Sequence, residues 1–297
     1  MALTNKARGT WLAAASYVMW GSLPLYWKAL SAVPPEVVLA HRIVWALVFT
    51  TTMTLFLKLG REVKSLFTDP RKTIRMVGAA LLISFNWWLY IWAITSGHVV
   101  ETALGYYINP LVSVLLGIFF LKEKLTKAQT AAFALAAVGV IVMALGVGRV
   151  PFIALGLAVS FGFYGLMKKQ APVSALASLQ VETLFSLPLA VGLLLFTTTG
   201  GLFGTANPPW YQMVLLVVAG PATALPLWMF GAGARLIPLA RIGFLQYIAP
   251  TITLLIGLFL FHESFGIWQA GAFACIWGAL VLYTVDALHK RSQVNRS

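Results

Sequence analysis

Apolar residues in this chain gather into blocks of roughly twenty, and polar residues are confined to the short stretches between them. A helix needs about 20 apolar residues to cross the hydrocarbon core of a bilayer. The pattern predicts helices near 10–30, 36–57, 75–95, 99–121, 128–146, 151–168, 174–197, 210–231, 237–261 and 267–287. Pro24, Pro110, Pro188, Pro226 and Pro250 fall inside blocks. Membrane helices tolerate this where neighbouring groups satisfy the freed backbone. Lys6 and Arg8 before the first block, with Ala29-Leu30-Ser31 after it, give it some likeness to a cleaved secretory signal. It is read as a span because the internal repeat described below includes it.

Composition sharpens this picture. Of 297 residues 60% are hydrophobic and 10% charged, against about 45–50% and about 25% in soluble domains. Ten spans leave no room for a separate soluble domain. The net charge of +13 would suggest nucleic acid in a soluble chain. Here the basic residues sit in alternate loops, where they act as topology signals, so no nucleic-acid partner is expected. With the N-terminus inside, one side holds Lys6 and Arg8, Lys58 to Arg75, Lys122 to Lys127, Lys168 and Lys169, Arg235 and the basic C-terminus; the other holds only Lys28 and Arg149. Both termini are therefore expected in the cytoplasm. The longest loop, 58–74, is read as a solvated cytoplasmic face. The single cysteine, Cys275, lies in an apolar block, and no Cys/His cluster has metal-ligand spacing. Neither a cofactor nor a metal is expected.

Tyr107-Ile108-Asn109-Pro110 returns as Tyr247-Ile248-Ala249-Pro250, an offset of 140 residues. The same ungapped offset relates Gly117 to Gly257, Phe119 to Phe259, Glu123 to Glu263, Gln129 to Gln269, Phe133 to Phe273 and Trp88 to Trp228. The units are 1–147 and 148–297, with five helices each. An odd number of helices forces opposite orientations in the membrane, a signature of secondary transporters. The expected fold is an all-α integral membrane protein of about ten transmembrane helices in two inverted five-helix repeats.

The run Glu101-Thr-Ala-Leu-Gly-Tyr-Tyr-Ile-Asn-Pro-Leu111, continued by Leu116-Gly-Ile-Phe-Phe-Leu-Lys-Glu123, resembles RarD-type permeases. So do Tyr26-Trp27-Lys28, His41-Arg42-Ile43 and Asn86-Trp87-Trp88-Leu89-Tyr90-Ile91-Trp92. These permeases are the chloramphenicol-sensitive protein group of the drug/metabolite transporter superfamily, with EamA-like domains. The resemblance covers nearly the whole chain. It implies the same ten-helix fold, a bacterial inner-membrane location, and export of small organic molecules. Amino-acid exporters and drug-efflux proteins both occur in the superfamily.

Charges within membrane helices cost roughly 2.5–3.5 kcal/mol each on insertion scales, so they are default functional candidates. Four stand out: Arg42, Glu101, Glu182 and Arg241. The offset maps Glu101 onto Arg241, and Arg42 close to Glu182. Helix direction then suggests an outer pair, Arg42–Glu101, and an inner pair, Glu182–Arg241. Each pair would close a gate or grip one end of a zwitterion. The alternatives are static ion pairs, or charges nearer the interface than they look. Glu101 or Glu182 could also carry a proton, since burial raises a carboxyl pKa.

Asn86, Trp87 and Tyr90 share one helix face, which suits a cavity wall; Trp88 and Trp92 share another. An interfacial aromatic belt is the competing reading. The repeat partner Trp228 favours a structural or central role for Trp88. Tyr106, Asn109 and Pro110, and Gln246, Tyr247 and Pro250, sit mid-helix, where proline frees a carbonyl one turn earlier. Such carbonyls can bind solutes at a repeat interface, or simply mark a packing kink. Ser113-x-x-x-Gly117 and Thr253-x-x-x-Gly257 read as close helix packing. Glu123 and Glu263 read as caps, and His41 as a helix contact. Trp20-Gly21 and Phe161-Gly162 with Tyr164 either line a narrow cavity or pack the core.

No zinc-protease, nucleophile-elbow or phosphate-loop motif is present, so an enzyme is not expected. A channel would need a filter or charged rings, and neither is evident. Buried charges of both signs beside aromatics fit a small amphipathic or zwitterionic metabolite, most simply an amino acid. A hydrophobic-drug efflux permease is the nearest alternative. Proton coupling is left open, and oligomeric state is not readable from sequence.

Overall fold

A computed structural model describes residues 4–95, 98–147, 151–171, 173–197, 209–260 and 266–294; for residues 91, 94, 95, 99–101, 147, 196, 197 and 287–294 it describes the backbone alone. The described residues form helices and turns. In chain order the helices are α1 (Asn5–Ala29), α2 (Pro35–Phe56), α3 (Gly60–Thr68), α4 (Pro70–Thr95), α5 (Val99–Leu121), α6 (Lys127–Val147), α7 (Phe152–Lys169), α8 (Ala175–Thr197), α9 (Trp210–Leu236), α10 (Leu239–Gln246), α11 (Ile248–Leu260) and α12 (Ile267–Val294).

Among the described residues eight spans are long and apolar enough to cross a membrane, one of them, Leu239–Leu260, made jointly by α10 and α11. α1 and α4 have the length, 25 and 26 residues, but open on charged turns holding Lys6 and Arg8, and Arg71, Lys72 and Arg75. Counting both gives the ten crossings that the apolar blocks predict. Helix ends follow local chemistry. Thr4 caps α1 by accepting from the Ala7 N–H at 3.2 Å. Pro35 begins α2 at a position where its missing N–H costs nothing. The break between α10 and α11 falls at Tyr247, where Pro250 has no N–H to return to the Gln246 carbonyl.

Most contacts join a helix before residue 148 to one after it. α6 lies along α12, α5 along α7, α2 against α8 and α9, and α1 against α9 and α11; α4 meets α7 and α8, and α10 meets α5. Moving each helix on by 140 residues exchanges these pairings among themselves. The α5–α7 contact maps onto α10/α11–α1, and α2–α9 onto α8–α4. The α2–α8, α6–α12 and α5–α10 contacts map onto themselves.

Close crossings need small residues. A Cβ on Gly220 would stand 2.2 Å from the Trp45 carbonyl carbon, so α9 and α2 touch backbone to backbone. One on Gly243 would stand 2.6 Å from the Pro110 oxygen, where α10 crosses α5. Gly117 faces the Glu123 carboxylate and the start of α10 in the same way, consistent with a packing role for its motif. Polar contacts add specificity between α2 and α8: Thr54 donates to Gln180 at 2.6 Å, Gln180 to Thr51 at 3.2 Å, and the Thr50 and Thr183 hydroxyls meet at 3.3 Å. Each such bond contributes about 0.6–2 kcal/mol in a membrane.

The 58–74 segment departs from expectation. It is not merely a solvated loop, because α3 lies within it. Leu66 is fully buried among Met76, Ala171, Val173, Ala177 and Val181, with Val63 packed alongside. Phe67 leans on Phe185 of α8 at 6.1 Å, and Glu62 accepts from the Ser174 N–H at 2.7 Å. The helix thus straps the α7–α8 turn at the end of the bundle where α1 starts.

Candidate functional site

Four groups of side chains line the bundle interior. The first surrounds Arg42, two turns into α2. Its Nε donates to the Thr223 hydroxyl of α9 at 3.0 Å. Its guanidinium lies 4.9 Å from the Trp27 ring centroid and 5.6 Å from that of Trp87. Tyr26, Tyr90 and Tyr106 stand close enough to feel its charge. Tyr90 and Tyr106 meet edge to face at 6.2 Å. Tyr26 is itself fixed by donating to the Leu215 carbonyl. Tyr106 is 50% exposed although it faces this aromatic group, so the aromatic chamber around Arg42 is not sealed off. Among the described residues no carboxylate pairs with Arg42. Glu101, expected as its partner, has a side chain outside the described residues.

The second group lies at mid-bundle. Tyr17, Asn109, Gln246 and Tyr247 are all buried, and the Tyr247 hydroxyl reaches the Tyr107 carbonyl at 3.4 Å. The third, in ring contact with Tyr17 of the second, is an aromatic cluster from three helices. Trp20 stands 5.8 Å from Phe161 and 5.7 Å from Phe230, and Tyr164 stacks on Phe230 at 6.2 Å. Trp228 packs against the same cluster.

The fourth group closes the end where α1 starts. Lys168 Nζ meets Glu182 Oε1 at 2.9 Å, each side chain 1% exposed. Glu182 also accepts from the Tyr164 hydroxyl at 2.9 Å and from Ser178. Lys169 donates to the Ala234 and Ile237 carbonyls at 3.3 and 2.5 Å, and Arg235 to the Val173 carbonyl. Glu123 accepts from the Leu239 and Ala240 N–H groups at 2.7 and 2.8 Å. A carboxylate at the start of α10 satisfies orphan donors and faces the positive end of the helix dipole. This is the cap expected of Glu123; Glu263 lies outside the described residues.

Several expectations change. The inner pair Glu182–Arg241 does not form: Lys168, read as a topology charge, takes Glu182, while Arg241 stands beside the Tyr283 hydroxyl. Asn86 donates to the Leu157 carbonyl and the Ser160 hydroxyl, both at 2.9 Å, so it clamps α4 to α7 rather than lining a cavity. Trp88 is 49% exposed, in an outward stripe with Phe85 and Trp92; it has the surroundings of a belt residue, unlike the half-buried Trp228. His41, by contrast, makes the hydrogen-bonded helix contact expected of it, accepting from the Trp45 indole at 3.2 Å. Sequence reading missed Trp27, Thr223 and Lys168. Trp27 stood in a motif that carries the family resemblance but was given no role, Thr223 carried no signal beyond position, and Lys168 was hidden at a block end.

Comparison with known proteins places this geometry in context. Residues 7–145 match the model of the EamA-like transporter family. The chain is 48% identical to the uncharacterized transporter YojE of Bacillus subtilis over 285 residues, 93% of each chain. It is 36% identical to Protein RarD of Escherichia coli, covering 97% of this chain and 98% of that one. A crystal structure at 20% identity superposes with a TM-score of 0.72, covering 95% of this chain and 98% of the other, and so shares its fold.

Proposed function

Since the chain belongs to the EamA-like transporter family of multi-pass membrane proteins, we propose that it exports small amphipathic or zwitterionic metabolites, amino acids foremost, across a bacterial inner membrane by alternating access. The observation that carries this reading is Arg42. A guanidinium held by a hydroxyl and two indole faces, beside the half-exposed Tyr106, keeps donor capacity for a planar carboxylate. Aromatic walls suit the apolar part of such a solute. In this reading 1–147 and 148–297 act as two repeats, both termini are cytoplasmic, and the group at Lys168, Lys169 and Glu123 is the closed inner gate. The protein acts as a carrier rather than an enzyme and takes its energy from a solute or proton gradient.

The test is uptake of a labelled amino-acid panel into proteoliposomes, with and without a proton gradient, by wild type and Arg42→Gln. Saturable wild-type uptake that falls at least tenfold in the variant supports the reading. Transport of apolar cationic drugs without any amino acid replaces it with the efflux permease. Flux that rises linearly with concentration replaces it with a channel.

A further inference from the structure

Three buried polar atoms at mid-bundle have no hydrogen-bond partner: the Tyr17 hydroxyl, Asn109 Oδ1 and Gln246 Oε1. Their residues are 2%, 8% and 4% exposed. Buried polar atoms are almost always bonded, so unpaired ones call for a reason. These three belong to one region. The Gln246 amide is a polar neighbour of the Tyr17 hydroxyl, but they do not reach bonding geometry. Gly243, one turn before Gln246, lies against the Pro110 carbonyl, next in sequence to Asn109. Backbone adds to the group. Pro250 lacks the N–H that would bond the Gln246 carbonyl, and Pro110 does the same to the carbonyl of Tyr106. The result is a set of oxygens with unused lone pairs, standing beside the O–H of Tyr17 and the amide N–H groups of Asn109 and Gln246. The chemical complement of the unpaired oxygens is a compact group with several N–H donors.

We propose that the break between α10 and α11 holds a subsite for the ammonium group of the solute, built from Gln246, Asn109 and Tyr17. The inference rests on the amino-acid reading above and adds the second recognition point. Asn109 follows Tyr106 by three residues on α5, about 4.5 Å along the axis. The oxygens therefore lie about one turn deeper than the Arg42 chamber. A zwitterion bridges the two, its carboxylate toward Arg42 and its ammonium toward Gln246. Tyr247 keeps helical dihedrals, so what the junction offers is the Gln246 carbonyl freed by Pro250; freed backbone carbonyls at mid-membrane are a recurrent means of holding ions in carriers.

Labelled phenylalanine uptake into proteoliposomes tests this, with unlabelled 3-phenylpropionate, which lacks the amine, as competitor. Gln246→Leu should raise the KM for phenylalanine about tenfold or more and leave the Ki of phenylpropionate within twofold. Gln246→Glu, of nearly the same size, should lower the Ki of phenethylamine several-fold, which a merely structural role would not do. Equal weakening of phenylalanine and phenylpropionate overturns the subsite while leaving the amino-acid reading standing. Loss of the Gln246→Leu effect when choline replaces sodium also overturns it, assigning the oxygens to a co-transported ion. Absence of wild-type uptake for any amino acid overturns both readings.

Discussion

The ion pair between Lys168 and Glu182 is the most deeply buried one among the described residues, and its removal has a calculable cost. The charges stand 2.9 Å apart, each side chain 1% exposed. At an effective dielectric near 20 their attraction is about 6 kcal/mol, offset by a desolvation cost of several kcal/mol per ion. The net value is modest, but breaking the pair one-sidedly is not. In Lys168→Met the Glu182 carboxylate keeps its bonds to Tyr164 and Ser178 and loses its counter-charge. Such a change costs about 3–5 kcal/mol. Tyr164→Phe, which removes one bond to a charged acceptor, should cost about 1.5–3 kcal/mol. The double variant Lys168→Met with Glu182→Leu buries no charge and should return to within about 2 kcal/mol of wild type. The assay is SDS-induced unfolding in mixed micelles, followed by tryptophan fluorescence and analysed as a double-mutant cycle. A Lys168→Met protein within about 1 kcal/mol of wild type would refute the reasoning, because a buried, unpaired carboxylate would then cost almost nothing.

Two further predictions follow from packing and capping. Gly220→Val should abolish folded protein, since even a Cβ there meets the Trp45 backbone at 2.2 Å, whereas Gly192→Ala, with nothing within 4 Å of the new methyl, should gain about 0.5–1 kcal/mol; size-exclusion profiles and micelle unfolding read both. Glu123→Ala leaves the Leu239 and Ala240 N–H groups unsatisfied and should cost about 0.5–2 kcal/mol, while Glu123→Gln keeps an acceptor and should cost less in the same unfolding assay.

The spans were legible because bilayer thickness imposes a length on every apolar block; the block predicted over 99–121 is the observed α5. The α10–α11 break was legible in part, since Pro250 marks the residue one turn earlier. α3 was missed because nine residues are too short for a span and its mean hydropathy is low. The spacing of Val63, Leu66 and Phe67 was its only sign. The buried charges show the limit more clearly. The repeat offset equates positions between halves but says nothing of which positions touch. Helix direction, which sorts charges by depth alone, then suggested a Glu182–Arg241 pair, when Lys168, fourteen residues before Glu182, reaches it beside Gly231. A lysine at a block end looks the same in sequence whether it reaches water or folds back into the protein. Asn86 was misread for a related reason. Amphipathic periodicity identifies an inward face, but not whether that face meets a cavity or another helix.

The account stands or falls on alternating access, and trans-stimulation tests that most directly. Proteoliposomes holding purified wild-type protein are preloaded with unlabelled phenylalanine or left empty, and initial uptake of labelled phenylalanine is compared. A carrier that returns faster loaded than empty takes up label several-fold faster into preloaded vesicles and saturates with external concentration, and the account predicts both. Uptake that is saturation-free and indifferent to preloading would contradict it and make the chamber at Arg42 part of a pore.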